Sequence, residues 1–162
     1  MVSEADKRHR ALALINRGLC AQEEGDLAKA IEFYQASLDA YPTAEGHTYL
    51  GWALSYEGRL EEAIAHCRRA IEIDPSFGNP YNDIGVYLMQ QQRFDEAIPW
   101  LEQAKAAPRY EPRHFPYINL GNIYITRGEL RRAIDELKGA LALMPDDEGI
   151  ANAISELESK LN

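Results

Sequence analysis

The 162-residue chain is predicted to be all-α, an array of four helix-turn-helix hairpins closed by a C-terminal capping helix. Three observations predict it. Gly18, Gly51, Gly85 and Gly121 recur at spacings of 33, 34 and 36, and Ala30, Ala63, Ala97 and Ala133 repeat those three spacings. Self-similarity at such a period marks stacked supersecondary units. Between the two series lies a recurring turn, Gly25, Gly58 and Gly128 with Gln92 at the equivalent place, which leads into DLAKAI, RLEEAI, RFDEAI and ELRRAI.

The elements follow in order. Residues 1–10 extend the first helix, and repeat one covers 11–43, repeat two 44–77, repeat three 78–113 and repeat four 114–147. In each hairpin the first helix carries the glycine and the second the alanine. Small residues there let helix axes approach to about 8–10 Å, while Leu60, Ile64, Phe94, Ile98, Leu130 and Ile134 fill the adjoining volume. Ser37, Ala70, Ala104 and Ala140 stand seven residues beyond the alanines, and Pro42, Pro75 and Pro145 stop three of the second helices. Repeat three lacks that proline, holds two extra residues in AAPRYEPRHFPY, and carries Pro99 inside its second helix, where a bend is expected. Residues 148–162 place Ile150, Ile154, Leu157 and Leu161 on one side, as a cap requires.

The repeat resembles the tetratricopeptide repeat, a 34-residue hairpin with a Trp-type residue, Leu-Gly, Tyr, Ala, Phe, Ala and Pro at fixed places. Repeat two supplies Leu50-Gly51, Ala63, Ala70 and Pro75, and repeat three Tyr81, Gly85, Ala97, Leu101 and Ala104. Repeat four matches most fully, with Tyr117, Leu120-Gly121, Tyr124, Ala133, Leu137, Ala140 and Pro145. Arg17 stands where Leu is usual, which suits a terminal repeat whose outer face meets water. The resemblance implies a right-handed α-solenoid and a protein-binding, non-enzymatic scaffold or adaptor.

It also implies that first helices line a concave groove for a peptide segment of a partner. Carried onto this chain, that surface includes Leu12, Ile15, Leu19, Gln22 and Glu23, then Thr48, Trp52, Tyr56, Asn79, Asn82, Val86, Met89, Phe115, Asn122 and Ile125. Asn82 and Asn122 each offer a donor and an acceptor to a peptide backbone. Trp52, Tyr56, Val86 and Phe115 are read as apolar pockets, with a core position the alternative for Trp52. Relatives that clamp the C-terminal carboxylate of chaperones resemble one another in basic residues and Asn at places where this chain has Ile15, Leu19, Asn79 and Asp83. That clamp is not expected here, because apolar side chains cannot neutralise a carboxylate and Asp83 repels one. EPRHFPY, Glu111 to Tyr117, looks like a segment of class II type III secretion chaperones, so the alternative reading is such a chaperone or a self-associating assembly protein, including a homodimer.

Composition narrows the remaining classes. A net charge of −9 disfavours a nucleic-acid partner. There is no apolar run long enough for membrane insertion and no signal-like start, so a cytoplasmic address is expected. His9, His47, His66 and His114 read as isolated, outside HExxH or other metal spacing, and no phosphate-loop or nucleophile-elbow motif occurs. No catalytic residue, metal site or cofactor is expected. Cys20 and Cys67 are read as two buried thiols. Glu61-Glu62 and Asp95-Glu96 are read as charges suited to helix starts, and Arg68-Arg69 and Arg131-Arg132 as exposed faces.

Overall fold

The computed structural model describes residues 1–161, so position 162 of the expected cap lies outside the described residues. Nine helices occur among them: α1 Glu4–Glu23, α2 Leu27–Ala40, α3 Ala44–Tyr56, α4 Leu60–Ile73, α5 Asn79–Gln90, α6 Phe94–Ala106, α7 Phe115–Thr126, α8 Leu130–Leu143 and α9 Glu148–Leu161. Among the described residues none is long and apolar enough to cross a membrane.

Local chemistry sets the helix ends. Ser3 opens α1 with a reciprocal cap: its hydroxyl accepts from the Asp6 amide and the Asp6 carboxylate accepts from the Ser3 amide. At α4 and α6 the N-cap residue is an arginine that grips a glutamate one turn on. Arg59 donates to Glu62 at 2.8 and 2.7 Å, and Arg93 to Glu96 at 2.9 and 2.6 Å. Between hairpin helices the chain must enter the left-handed region, which Gly25 meets at φ 83° and Gln92, without that freedom, at φ 60°. Helix α6 runs continuously through Pro99.

Packing follows the small-residue series. A Cβ at Gly85 would lie 2.5 Å from the Leu101 side chain, and one at Gly18 2.4 Å from the Tyr34 ring, so these glycines let each hairpin close. Each first helix packs on its own second helix, and each second helix packs on the next first helix, α8 doing so on α9. The backbones of first helices α1, α3, α5 and α7 also approach one another in succession, whereas among the described residues those of α2, α4, α6 and α8 stay further apart and meet only through long side chains, such as Lys105 of α6 with Glu136 of α8 at 3.1 Å. The array therefore curves with first helices inside. One core runs its length, from Ile15 and Tyr34 through Leu50, Ile84 and Leu120 to Leu157.

Helix α9 caps the array through Ile150, Ile154 and Leu157, whereas Leu161, expected on the same face, is 45% exposed one turn beyond the end of that contact. Cys67 is buried, but Cys20 is exposed. It lies on α1, on a face that the other described helices leave uncovered.

The extra residues of repeat three form a strap, 107–114, between α6 and α7. Its backbone returns to the link between repeats two and three: Gly78 N–H donates to Arg109 C=O at 2.9 Å, and Arg109 N–H to Ser76 C=O at 3.0 Å. The Arg109 guanidinium pairs with Asp74 at 2.7 Å and Glu45 at 3.0 Å and lies over the Phe77 ring at 4.1 Å. Tyr110 is buried against Gly78, where a Cβ would stand 2.5 Å from Tyr110 Cβ.

Candidate functional site

The inner face holds two adjoining recesses. The larger, about 470 Å³, is lined by Thr48, Tyr49 and Trp52 of α3, Phe77, Asn79, Asn82, Asp83 and Val86 in and before α5, Tyr110 of the strap, and Phe115 and Asn119 of α7. The other, about 460 Å³, lies between α1, α2 and α3, with Leu19, Gln22, Glu23, Leu27, Trp52 and Tyr56 on its walls. Trp52 belongs to both. It is 37% exposed and meets Tyr56 edge-on, ring centroids 5.6 Å apart, so it forms the ridge between them rather than core.

The structure sorts the expected groove residues. Thr48, Trp52, Asn79, Asn82, Val86 and Phe115 meet in the larger recess, and Tyr56 joins Trp52 in the smaller. Met89 turns instead towards the core, and Asn122 and Ile125 are exposed outside both recesses. Asn82 is only 7% exposed, and its Oδ1 accepts from Asn119 Nδ2 at 2.9 Å. The amide that faces Asn82 across the recess is thus Asn119, not Asn122. Thr48 is buried with its hydroxyl donated to Ala44 C=O at 2.7 Å, so it contributes wall and no free donor. Asn79 points its amide towards Glu111 C=O in the strap at 3.4 Å.

Sequence reasoning missed Tyr49, Phe77, Tyr110 and Asn119, and took Asp83 only as an obstacle to a carboxylate ligand. Two of them, Phe77 and Tyr110, stand outside any helix, where helical spacing carries no information. Asp83 is the one charged residue on the wall of the larger recess. Burial pushes its carboxyl up to about 7, and the polar contact with Asn82 opposes this only in part. The residues at the other clamp-equivalent places, Ile15 and Leu19, pack into or against the core.

The histidines are not all isolated. His47 and His66, on α3 and α4, bring their Nδ1 atoms to 2.9 Å. Among the described residues, His, Cys, Asp and Glu do not gather in groups of three or more that could hold a metal ion. The arginine pairs are exposed as expected, but Arg68 lies over the Trp100 ring at 5.3 Å and Arg132 donates to the Tyr124 hydroxyl at 2.8 Å.

Comparison with known proteins gives a consistent result. Models described as tetratricopeptide repeat match residues 11–44, 44–77, 81–107 and 117–151. Anaphase-promoting complex subunit 3 of Dictyostelium discoideum is 34% identical over 115 residues, which is 70% of this chain and 11% of that subunit. Photosystem I assembly protein Ycf3 of Prochlorococcus marinus is 27% identical over 144 residues, covering 81% of this chain and 82% of the relative. A solved structure from a functional study of Pseudomonas aeruginosa PilF superposes with a TM-score of 0.87 at 23% identity, over 95% of this chain and 70% of that one. The chain spans 11% of the length of the first curated relatives it matches.

Proposed function

The chain belongs to the tetratricopeptide repeat family, and from that premise we propose that it is a non-enzymatic scaffold whose inner face holds a segment of a partner protein. The observation that carries this reading is Trp52, a third exposed on the ridge between two recesses that together run from α1 to α7. Exposed aromatic rings beside concave walls are the anchors of protein interfaces, because they desolvate a large apolar area at small entropic cost. Phe115 at 45% and Tyr56 at 65% exposure extend the same surface.

The relatives support this as kinds of protein: one is a subunit of a multiprotein complex and another an assembly protein. A catalytic reading has no comparable support, since the larger recess contains a single carboxyl and no nucleophile paired with a base.

Random dodecapeptides displayed on phage and panned on the folded chain test the proposal. Selected peptides should bind with a change in Trp52 fluorescence, read in a Trp100→Phe background, and should lose binding to Trp52→Glu and to Phe115→Glu. Peptides that bind both variants normally would place the surface elsewhere. Light scattering of the same samples separates a scaffold that works as a monomer from one that pairs with a second copy.

A further inference from the structure

We propose that the recess between α3, α5 and α7 receives a lysine or arginine side chain of the partner segment, with Asp83 as its counter-charge. The inference rests on the reading that the inner face holds such a segment. It adds the chemistry of one residue of the partner.

Charge complementarity is the first argument. Asp83 is the one charged residue lining the recess, and among the described residues it has no salt-bridge partner. Asp74 and Asp95, by contrast, are paired with Arg109 and Arg127. Asp83 is partly buried on the wall of the recess, so its carboxylate is poorly solvated and faces the space a partner side chain would enter, where a cation would offset that loss of water. The chain's net charge of −9 favours the approach of a basic segment from a distance.

The walls fit the rest of such a side chain. Trp52, Phe77, Tyr110 and Phe115 offer apolar surface to its methylene stem, and ring faces attract its charged head. Asn119 spends its amide nitrogen on Asn82, which leaves Oδ1 as an acceptor for a guanidinium, ammonium or peptide N–H. An acidic side chain in the same place is repelled by Asp83. An apolar one buries the carboxyl further with nothing to offset it.

The groups around Asp83 make the interaction readable by pH. From α4 it faces Cys67, from its own helix Tyr87 and from the strap Tyr110, and burial raises all three. They stay neutral between about pH 6 and 8. Tyr49 of α3 and the amides of Asn82 and Asn119 complete the polar lining. His114, whose ring tilts against Phe115 with centroids 4.4 Å apart, and Glu111 of the strap stand near the rim, and the Asp83→Asn variant separates their effects.

The experiment uses the peptides selected on the wild-type chain at about pH 8. A lysine or arginine should recur at one place in register, and its replacement by methionine in a synthetic peptide should weaken binding about tenfold or more. Asp83→Asn should abolish the difference between the two peptides, as a double-mutant cycle requires. On the unaltered protein, lowering the pH from about 8 to about 6 should weaken the basic peptide about tenfold as Asp83 takes up its proton, and Asp83→Asn should flatten that response. Selected peptides that need Trp52 and Phe115 but show no basic preference would overturn the inference and leave the proposed function standing. So would a basic preference or pH response that survives in Asp83→Asn. If no peptide depends on Trp52 and Phe115, both fall.

Discussion

Where α3 packs on α4, Nδ1 of His47 and Nδ1 of His66 face each other across 2.9 Å, with ring centroids 5.2 Å apart. Whichever ring donates, the other must accept, so the contact holds only while at least one ring is neutral. Burial first, and then the His66 ring, lower His47 to about 4, and burial lowers His66.

The sign of the resulting acid response is fixed. The unfolded chain takes up a proton on His47 near its ordinary value of 6.5, while the folded chain resists until about 4, so stability present above 6.5 is lost as pH falls through that window. The pair should contribute about 1–3 kcal/mol to the loss. Urea midpoints of wild type and His47→Gln at about pH 7.5 and 5 measure it, and the acid-induced loss should be smaller in the variant. Equal losses would show that the pair does not titrate with folding.

Asp83 acts with the opposite sign. Its carboxyl sits at about 7 in the folded chain against an ordinary 3.8, so the folded form keeps a proton that the unfolded form releases, and stability falls as pH rises between those values. Asp83→Asn should therefore raise the urea midpoint at about pH 8, by about 1 kcal/mol or more, and change it little near pH 4. A variant less stable than wild type at pH 8 would contradict a carboxyl raised by desolvation.

Gln92 occupies the left-handed turn that glycine fills in the other three hairpins. A Cβ there is strained by roughly 1–2 kcal/mol, against which glycine loses some unfolded-state entropy. Gln92→Gly should raise stability by up to about 1 kcal/mol, and calorimetry will show whether the midpoint rises. A lower midpoint would mean that this turn tolerates glutamine without strain.

Asn119 and Asn122 lie one turn apart on α7 and should behave differently. Asn119→Ala leaves the buried Asn82 Oδ1 without its donor, at a cost of about 1–3 kcal/mol. Asn122 is exposed, so Asn122→Ala should stay within about 0.5 kcal/mol of wild type in the same urea titration. Similar losses for both would put the register of α7 in doubt.

The sequence by itself determined the repeating hairpins, because the demand that Gly85 and Leu101, or Gly18 and Tyr34, make on each other is met within one repeat and returns with its period. The family resemblance carried onto this chain led to Trp52, Asn82 and Phe115, which line one recess of the inner face. Only the tertiary structure decided which amide meets Asn82, that Phe77 and Tyr110 close the recess through the strap, that His47 finds His66, and that Asp83 is partly withdrawn from water without a cation beside it. Those facts depend on side chains from separate helices and an irregular link, where no fixed spacing relates partner to partner. Desolvation in particular is a property of everything surrounding a group. Cys20 and Cys67 show the same limit: one cysteine ends exposed on α1 and the other sealed between repeats, according to what stacks beside it.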